Sequence, residues 1–199
     1  MNSANKALTQ NSKVIVLNTN ICYMYNWHSP LVFSDQGNML QWLEDELQKL
    51  ESRNGSAIIL AHIPTQNECL KKYGLRLHSI FDKYQHVIKF GVYGHSHTPQ
   101  FQVVQDMILG KPIGVNFFPG SATTSQGKPP NFSVLEIDPT SNIPLDFKVF
   151  AMDLDHANRL NQPKWALSSQ IGFKSSLDKS LSSGSIPNLS PESLRSYTV

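Results

Sequence analysis

The residues of this chain best suited to chemistry are histidines. Two stand one residue apart at the end of an apolar run, VIKFGVYGHSH over 87–97, and a third, His62, directly follows another, AIILA over 57–61. Alternation along an extended backbone puts His95 and His97 on one side, where two imidazoles can converge on one ion or on two neighbouring ions. Imidazole is the commonest ligand for zinc and suits iron as well. One histidine after one strand is most often structural; three delivered to one edge by two strands are harder to dismiss, although spacing alone leaves the metal and structural readings both open. Gly94 fits the metal reading, because a turn without a Cβ lets the backbone bring both histidines close to an ion. The other four histidines read as solvated: His78 and His86 in a polar helical neighbourhood, His28 and His156 in loops.

These side chains need strands to carry them. Lys13 to Leu17 (KVIVL), Ala57 to Ala61 and Val87 to Tyr93 are short apolar runs that read as buried strands. Between the first two, Met39, Leu40, Leu43, Leu47 and Leu50 recur at spacings of three and four and predict an amphipathic helix over 38–53, stopped by Asn54-Gly55. A second helix is expected around Leu75 to Lys83. Four further runs, FQVVQDM, IGVNFF, FSVLEI and LDFKVFA, are separated by turn residues and suit antiparallel strands. Strand and helix alternate in the first half and strands dominate the second, which describes a layered α/β sandwich. The sheet then puts His62, His95 and His97 beyond the carboxyl ends of neighbouring strands, where α/β folds place ligands.

Composition narrows the classes. A chain of 199 residues with 40% hydrophobic residues buries a core, and a net charge of +2 points to no polyanion. The basic residues Lys49, Arg53, Lys71, Lys72 and Arg76 are scattered without interleaved aromatics, so no nucleic-acid partner is expected. No run of about 18 apolar residues occurs to span a membrane. The opening MNSANKALTQNSK has no apolar stretch of a secretory signal, and residues 1–12 are expected to be disordered or a truncated N-terminus. Cys22 and Cys69 show no CxxC spacing and, on composition, read as free buried thiols. The sequons at Asn54, Asn131 and Asn188 are close to the number chance provides. The serine-rich stretch from Ser168 onward suggests disorder, relieved by Ser190-Pro191-Glu192, a good helix opening. Residues 13–155 are thus taken as the domain and 156–199 as a loosely attached, partly helical tail.

Five blocks carry a resemblance. LNTNICY at 17–23, DQGNMLQWLEDEL at 35–47, AHIPTQNEC at 61–69, GHSHTPQF at 94–101 and PGSATT at 119–124 follow in order the pattern of the acid sphingomyelinase-like phosphodiesterases, within the calcineurin-like metallophosphoesterases. The resemblance covers about residues 13–138. It implies the C-terminal half of a four-layer α/β/β/α sandwich. It makes His62 and His95 ligands of one metal and His97 a ligand of another, in a centre of two divalent ions, zinc foremost, that hydrolyses sphingomyelin or a related phosphate ester. It also pairs Cys22 with Cys69 in a disulfide. The setting it implies is an oxidising one, a secreted or lysosome-like glycoprotein with peripheral membrane contact.

Departures from the family pattern are equally informative. The D-x-H, G-D and G-N-H motifs, which supply the bridging aspartate, further ligands and the leaving-group acid, are absent; Gly37-Asn38 is followed by Met39. With its late imidazoles alone, this chain is expected to bind at most one metal ion, to contain no residue assignable as catalytic, and to be inactive by itself. It reads as a fragment of a longer enzyme. The alternatives are a non-catalytic pseudoenzyme acting as a binding module, and a phosphoesterase acting on nucleotides or phosphoproteins.

Overall fold

The computed structural model describes residues 4–9, 11–31, 34–65, 68–172 and 188–195. They fall into two compact units, Met1–His95 with Val104–Asn116, and Ser96–Val103 with Phe117–Val199.

The first unit is built on a mixed sheet. Its strands are β1 (Ala4–Thr9), β2 (Ser12–Val16), β3 (Ser56–Ala61), β4 (Ile88–Tyr93), β5 (Pro99–Gln105) and β6 (Pro112–Pro119), in the order β1-β2-β3-β4-β6-β5, the last two contributing one portion to each unit. The pairs β2–β3 and β3–β4 are parallel, so each needs a crossover, and helices α1 (Met39–Glu51) and α2 (Lys71–Lys83) supply them. Ile15 and Ile59, register partners on one face, are 0 and 1% exposed; on the other face Ile58 and Phe90 are buried while Leu60 is 40% exposed.

The α1 helix forms where its periodicity places it. Leu43, Leu47 and Leu50 are fully buried, and the Asp35 carboxylate accepts from the Leu40 and Gln41 N–H groups at 3.1 and 3.0 Å, satisfying donors that the helix start leaves open. Asn54, at φ 52°, ends it in the left-handed region while the Gly55 N–H closes back on the Leu50 carbonyl at 2.7 Å. One charge lies on the buried side: Glu46, held by Lys13 at 2.8 Å and Lys49 at 2.9 Å. Residues 4–9, within the stretch 1–12 expected to be disordered or a truncated N-terminus, form β1, antiparallel to β2, which corrects the expectation of disorder there.

The second unit contains a three-stranded antiparallel sheet, β7 (Asn131–Ile137), β8 (Pro144–Met152) and β9 (Trp165–Gly172), in that order. The boundary expected at 155 falls inside helix α3 (Leu154–Leu160), whose start is capped by Asp153 accepting from the His156 N–H at 2.9 Å. Most of α3 and all of β9 lie in the stretch read as tail. Its end is docked rather than loose: Leu189 and Leu194 are fully buried, and the Leu189 N–H donates to the Pro144 carbonyl at 2.8 Å. Helix α4 (Pro191–Arg195) opens as its sequence predicts, Ser190 Oγ accepting from the Ser193 N–H at 3.3 Å. Residues 173–187, most of the expected serine-rich disorder, lie outside the described residues. The observed class is mixed α/β with a parallel-rich sheet, as the alternation of elements predicts. Among the described residues no helix is long and apolar enough to cross a membrane.

Candidate functional site

Parallel pairing delivers the first two histidines together. Ala61 and Tyr93 are register partners at the carboxyl ends of β3 and β4, so His62 and Gly94 leave the sheet side by side. The Gly94 N–H donates to the His62 carbonyl at 3.0 Å, carrying the pairing one step past the strands. A Cβ on Gly94 would lie 2.8 Å from His62 Nδ1. The glycine therefore admits the neighbouring imidazole; it is not needed for a left-handed turn. The rings of His62 and His95 meet edge to face, with centroids 5.2 Å apart at 79°.

The backbone after Gly94 is not extended. His95 and His97 have φ of 73° and 54°, both left-handed, which corrects the expectation that alternation along a strand sets their directions. Non-glycine residues in this region carry a local cost, sustained here by neighbouring bonds. Thr98 Oγ1 donates to the Ser96 carbonyl at 3.2 Å, and the Lys128 ammonium donates to the same carbonyl at 3.1 Å and to Thr98 Oγ1 at 2.8 Å. His97 belongs to the second unit. Of the three expected ligands, the structure thus brings His62 and His95 together within the first unit.

A carboxylate joins them that sequence reasoning did not single out. His95 Nε2 lies 2.5 Å from Glu68 Oε2, so the imidazole N–H donates to the carboxylate and leaves Nδ1 as the free-electron-pair nitrogen of the neutral ring. Tyr23 packs its ring edge-on to His95 at 5.3 Å and to Tyr25 at 5.4 Å. Loss of solvent, with the Glu68 charge and Tyr25 nearby, pushes the Tyr23 phenol above its ordinary value. Glu68 is the sole carboxylate of AHIPTQNEC and directly precedes Cys69, the signal that could have drawn attention to it.

The loops holding these groups are tied together. Cys22 and Cys69 form a disulfide, with Cα atoms 4.7 Å apart, so the free-thiol reading is set aside in favour of the pairing that the resemblance implies. Around it the Met24 N–H donates to the Glu68 carbonyl at 2.8 Å, and the Leu70 N–H to the Cys22 carbonyl at 2.6 Å. Buried Thr19 accepts from the Ile63 N–H at 2.7 Å and fixes the chain just past His62. Two of the remaining histidines have ordinary partners, His78 on the Gln105 carbonyl and His86 on Glu51.

The donor set fits a two-metal centre only in part. Among the described residues no group of three or more His, Cys, Asp or Glu side chains stands ready to hold a metal ion. Two adjacent imidazoles, one oriented by a carboxylate, are a beginning of such a site and carry too little negative charge to hold two dications.

No family model matches the chain. It is 34% identical over 161 residues to the sphingomyelin phosphodiesterase of Bos taurus, a match covering 78% of this chain and 26% of that protein. It is 28% identical over 190 residues to sphingomyelin phosphodiesterase B of Dictyostelium discoideum, covering 92% of this chain and 28% of the relative. It is 29% identical over 171 residues to the human cyclic GMP-AMP phosphodiesterase SMPDL3A, covering 79% and 37%. By sequence the chain resembles a part of the acid sphingomyelinase-like phosphodiesterases. It spans about a quarter of the length of the sphingomyelin phosphodiesterases it matches.

Proposed function

We propose that this chain is the histidine-bearing later part of a metal-dependent phosphodiesterase that hydrolyses sphingomyelin or a related phosphate ester. The observation that carries the reading is the pairing of His62 and His95 at the ends of two parallel strands, with Glu68 fixing the His95 tautomer. His62 and His95 are assigned to one divalent ion, zinc foremost, and His97 to a second; that pair of ions, when bound, polarises the phosphoryl group and supplies the attacking hydroxide. The chain's own part is to hold and orient imidazoles. Aspartates and a leaving-group acid have to come from sequence outside these 199 residues, so the chain alone is inactive on this reading. The disulfide fits an oxidising compartment, lysosome-like or extracellular.

A nucleotide substrate is the second reading, favoured by the relatives described as cyclic GMP-AMP phosphodiesterases. The test is zinc titration of the chain by calorimetry, alongside hydrolysis of a chromogenic phosphodiester, sphingomyelin and a cyclic dinucleotide. One weakly bound zinc at most is expected, lost in His95→Ala, with no measurable turnover, since a general acid alone contributes about 10²-fold to 10⁴-fold. Zinc binding unchanged in His95→Ala would overturn the ligand assignment. Zinc-dependent turnover lost in that variant would instead show a self-sufficient site.

A further inference from the structure

The two bridged cysteines have covalent neighbours that meet on one ring. Tyr23 follows Cys22, Glu68 precedes Cys69, and both touch His95. The Tyr23 ring and the imidazole stand edge to face, with centroids 5.3 Å apart at 80°, while Glu68 Oε2 lies 2.5 Å from Nε2. His62, at the end of β3, meets the same ring at 79°.

This imidazole needs outside support. The β3–β4 pairing reaches its last backbone bond at Gly94, and His95 follows on a left-handed residue. A histidine ring turns about two side-chain bonds, and each neutral tautomer offers a different nitrogen to an ion. The Glu68 carboxylate selects the Nε2–H tautomer, because an ionised carboxylate only accepts. A hydrogen bond at one nitrogen still lets the ring plane swing about it, and an aromatic ring packed edge to face opposes that swing.

The junction that supplies both contacts is stiff. Tyr23 pairs with Cys69 in an isolated antiparallel bridge. The Met24 N–H bond to the Glu68 carbonyl and the Leu70 N–H bond to the Cys22 carbonyl flank the disulfide. From the far side the Asn26 N–H donates to the Tyr23 carbonyl at 2.9 Å, and the Tyr25 ring packs on that of Tyr23.

We propose that the Cys22–Cys69 junction is a positioning device for His95, in which Tyr23 holds the plane of the imidazole and Glu68 its tautomer. Nδ1 is thereby fixed as the electron-pair nitrogen before an ion arrives. Tyr23 is a positioning residue and coordinates nothing itself. A ligand whose orienting entropy is already lost binds more tightly, and the partners behind a metal-binding histidine are worth about tenfold to hundredfold in affinity. That the nitrogen serves a metal ion rests on the phosphodiesterase reading. The state of the ring is measured without metal, so either can fail while the other stands.

The experiment labels the histidine nitrogens of the full chain and reads each tautomer by NMR at a pH where imidazole is neutral, with zinc affinity measured by calorimetry. Circular dichroism checks that every variant folds. Wild type is expected to show His95 as a single Nε2–H tautomer. Tyr23→Leu should mix the tautomers and weaken zinc about threefold to tenfold, and Tyr23→Phe, which keeps the ring, should restore both. Glu68→Gln should mix them and weaken zinc about tenfold or more. The double substitution of Cys22 and Cys69 by Ser should mix them as well; a folded, bridge-free chain that keeps the single tautomer overturns the role of the junction. A Tyr23→Leu chain with the wild-type tautomer and zinc affinity overturns the proposal, and so does a mixed His95 tautomer in wild type. Tautomers mixed by Tyr23→Leu, together with zinc binding that survives His95→Ala, would support the positioning and overturn the ligand assignment instead.

Discussion

The parallel strands β2 to β4 and the antiparallel strands β7 to β9 solve burial in opposite ways. In the first group Ile15 and Ile59 share a fully buried face and Phe90 is buried on the other, although Leu60 there is 40% exposed; apolar residues fill most of these strands, and the candidate chemistry appears where they end, at His62 and His95. In the second, Phe147 and Val149 are buried, and neighbouring positions on β7 and β9, Phe132, Val134, Trp165 and Leu167, stay 41 to 52% exposed. Strands whose apolar residues are mostly buried leave reactive groups to the loops at their ends, whereas a sheet covered on one face spreads apolar area over the other. Position in the sheet, more than residue type, tells which histidines merit a chemical reading.

The largest expected effect breaks the sheet edge itself. The Cys22–Cys69 bridge closes a loop with a separation of 47 residues. Removing it by the double substitution to Ser should cost about 4 kcal/mol if loop-closure entropy dominates. Urea melts of the two forms measure it; a loss below about 1 kcal/mol would mean that the backbone bonds around Glu68 hold the loops unaided.

A smaller effect concerns the charge under the parallel sheet. The hydrogen bond from Lys13, with that from Lys49, holds the Glu46 carboxyl below its ordinary value. A depressed folded value means that its stabilisation is complete at pH above the ordinary carboxylate value near 4.5 and is lost as pH falls through the folded value. Glu46→Gln should cost about 1 to 3 kcal/mol at neutral pH. It should also flatten the acid limb of the stability curve, read from melts at stepped pH. An unchanged acid limb would place the acid sensitivity elsewhere.

The smallest effect sharpens the contrast from the antiparallel side. Phe132 stacks on Phe150 at 5.1 Å and meets Trp165 at 5.2 Å on the exposed face. Because these rings keep much of their contact with water, Phe132→Ala should cost only about 1 kcal/mol. A loss near that of a core phenylalanine, about 3 to 5 kcal/mol, would show that the face is covered in solution.

What the sequence disclosed follows the same division. The buried strands and α1 were legible because burial of most of a strand writes a short apolar run, and an amphipathic helix writes a spacing of three and four. Strand β9 was missed because Trp165 to Ser169 are all exposed, which leaves no buried pattern to read. Helix α3 was missed because seven residues with Ala157 alone buried carry almost no periodicity. At the site, His62 and His95 could be found from their strands. Glu68 could not, since its partner lies 27 residues away, and the left-handed turns at His95 and His97 leave no mark in residue type.

The covalent ring closed by Cys22 and Cys69 also governs what a protease can release. Ser52, Arg53 and Asn54 form an exposed turn between α1 and β3, a natural place for cleavage, and they lie inside the ring. A cut there opens the peptide but detaches nothing, because the bridge still joins the piece bearing Trp27 to the piece bearing His62 and His95. Such a nicked molecule would run as one species on a non-reducing gel and as two after reduction.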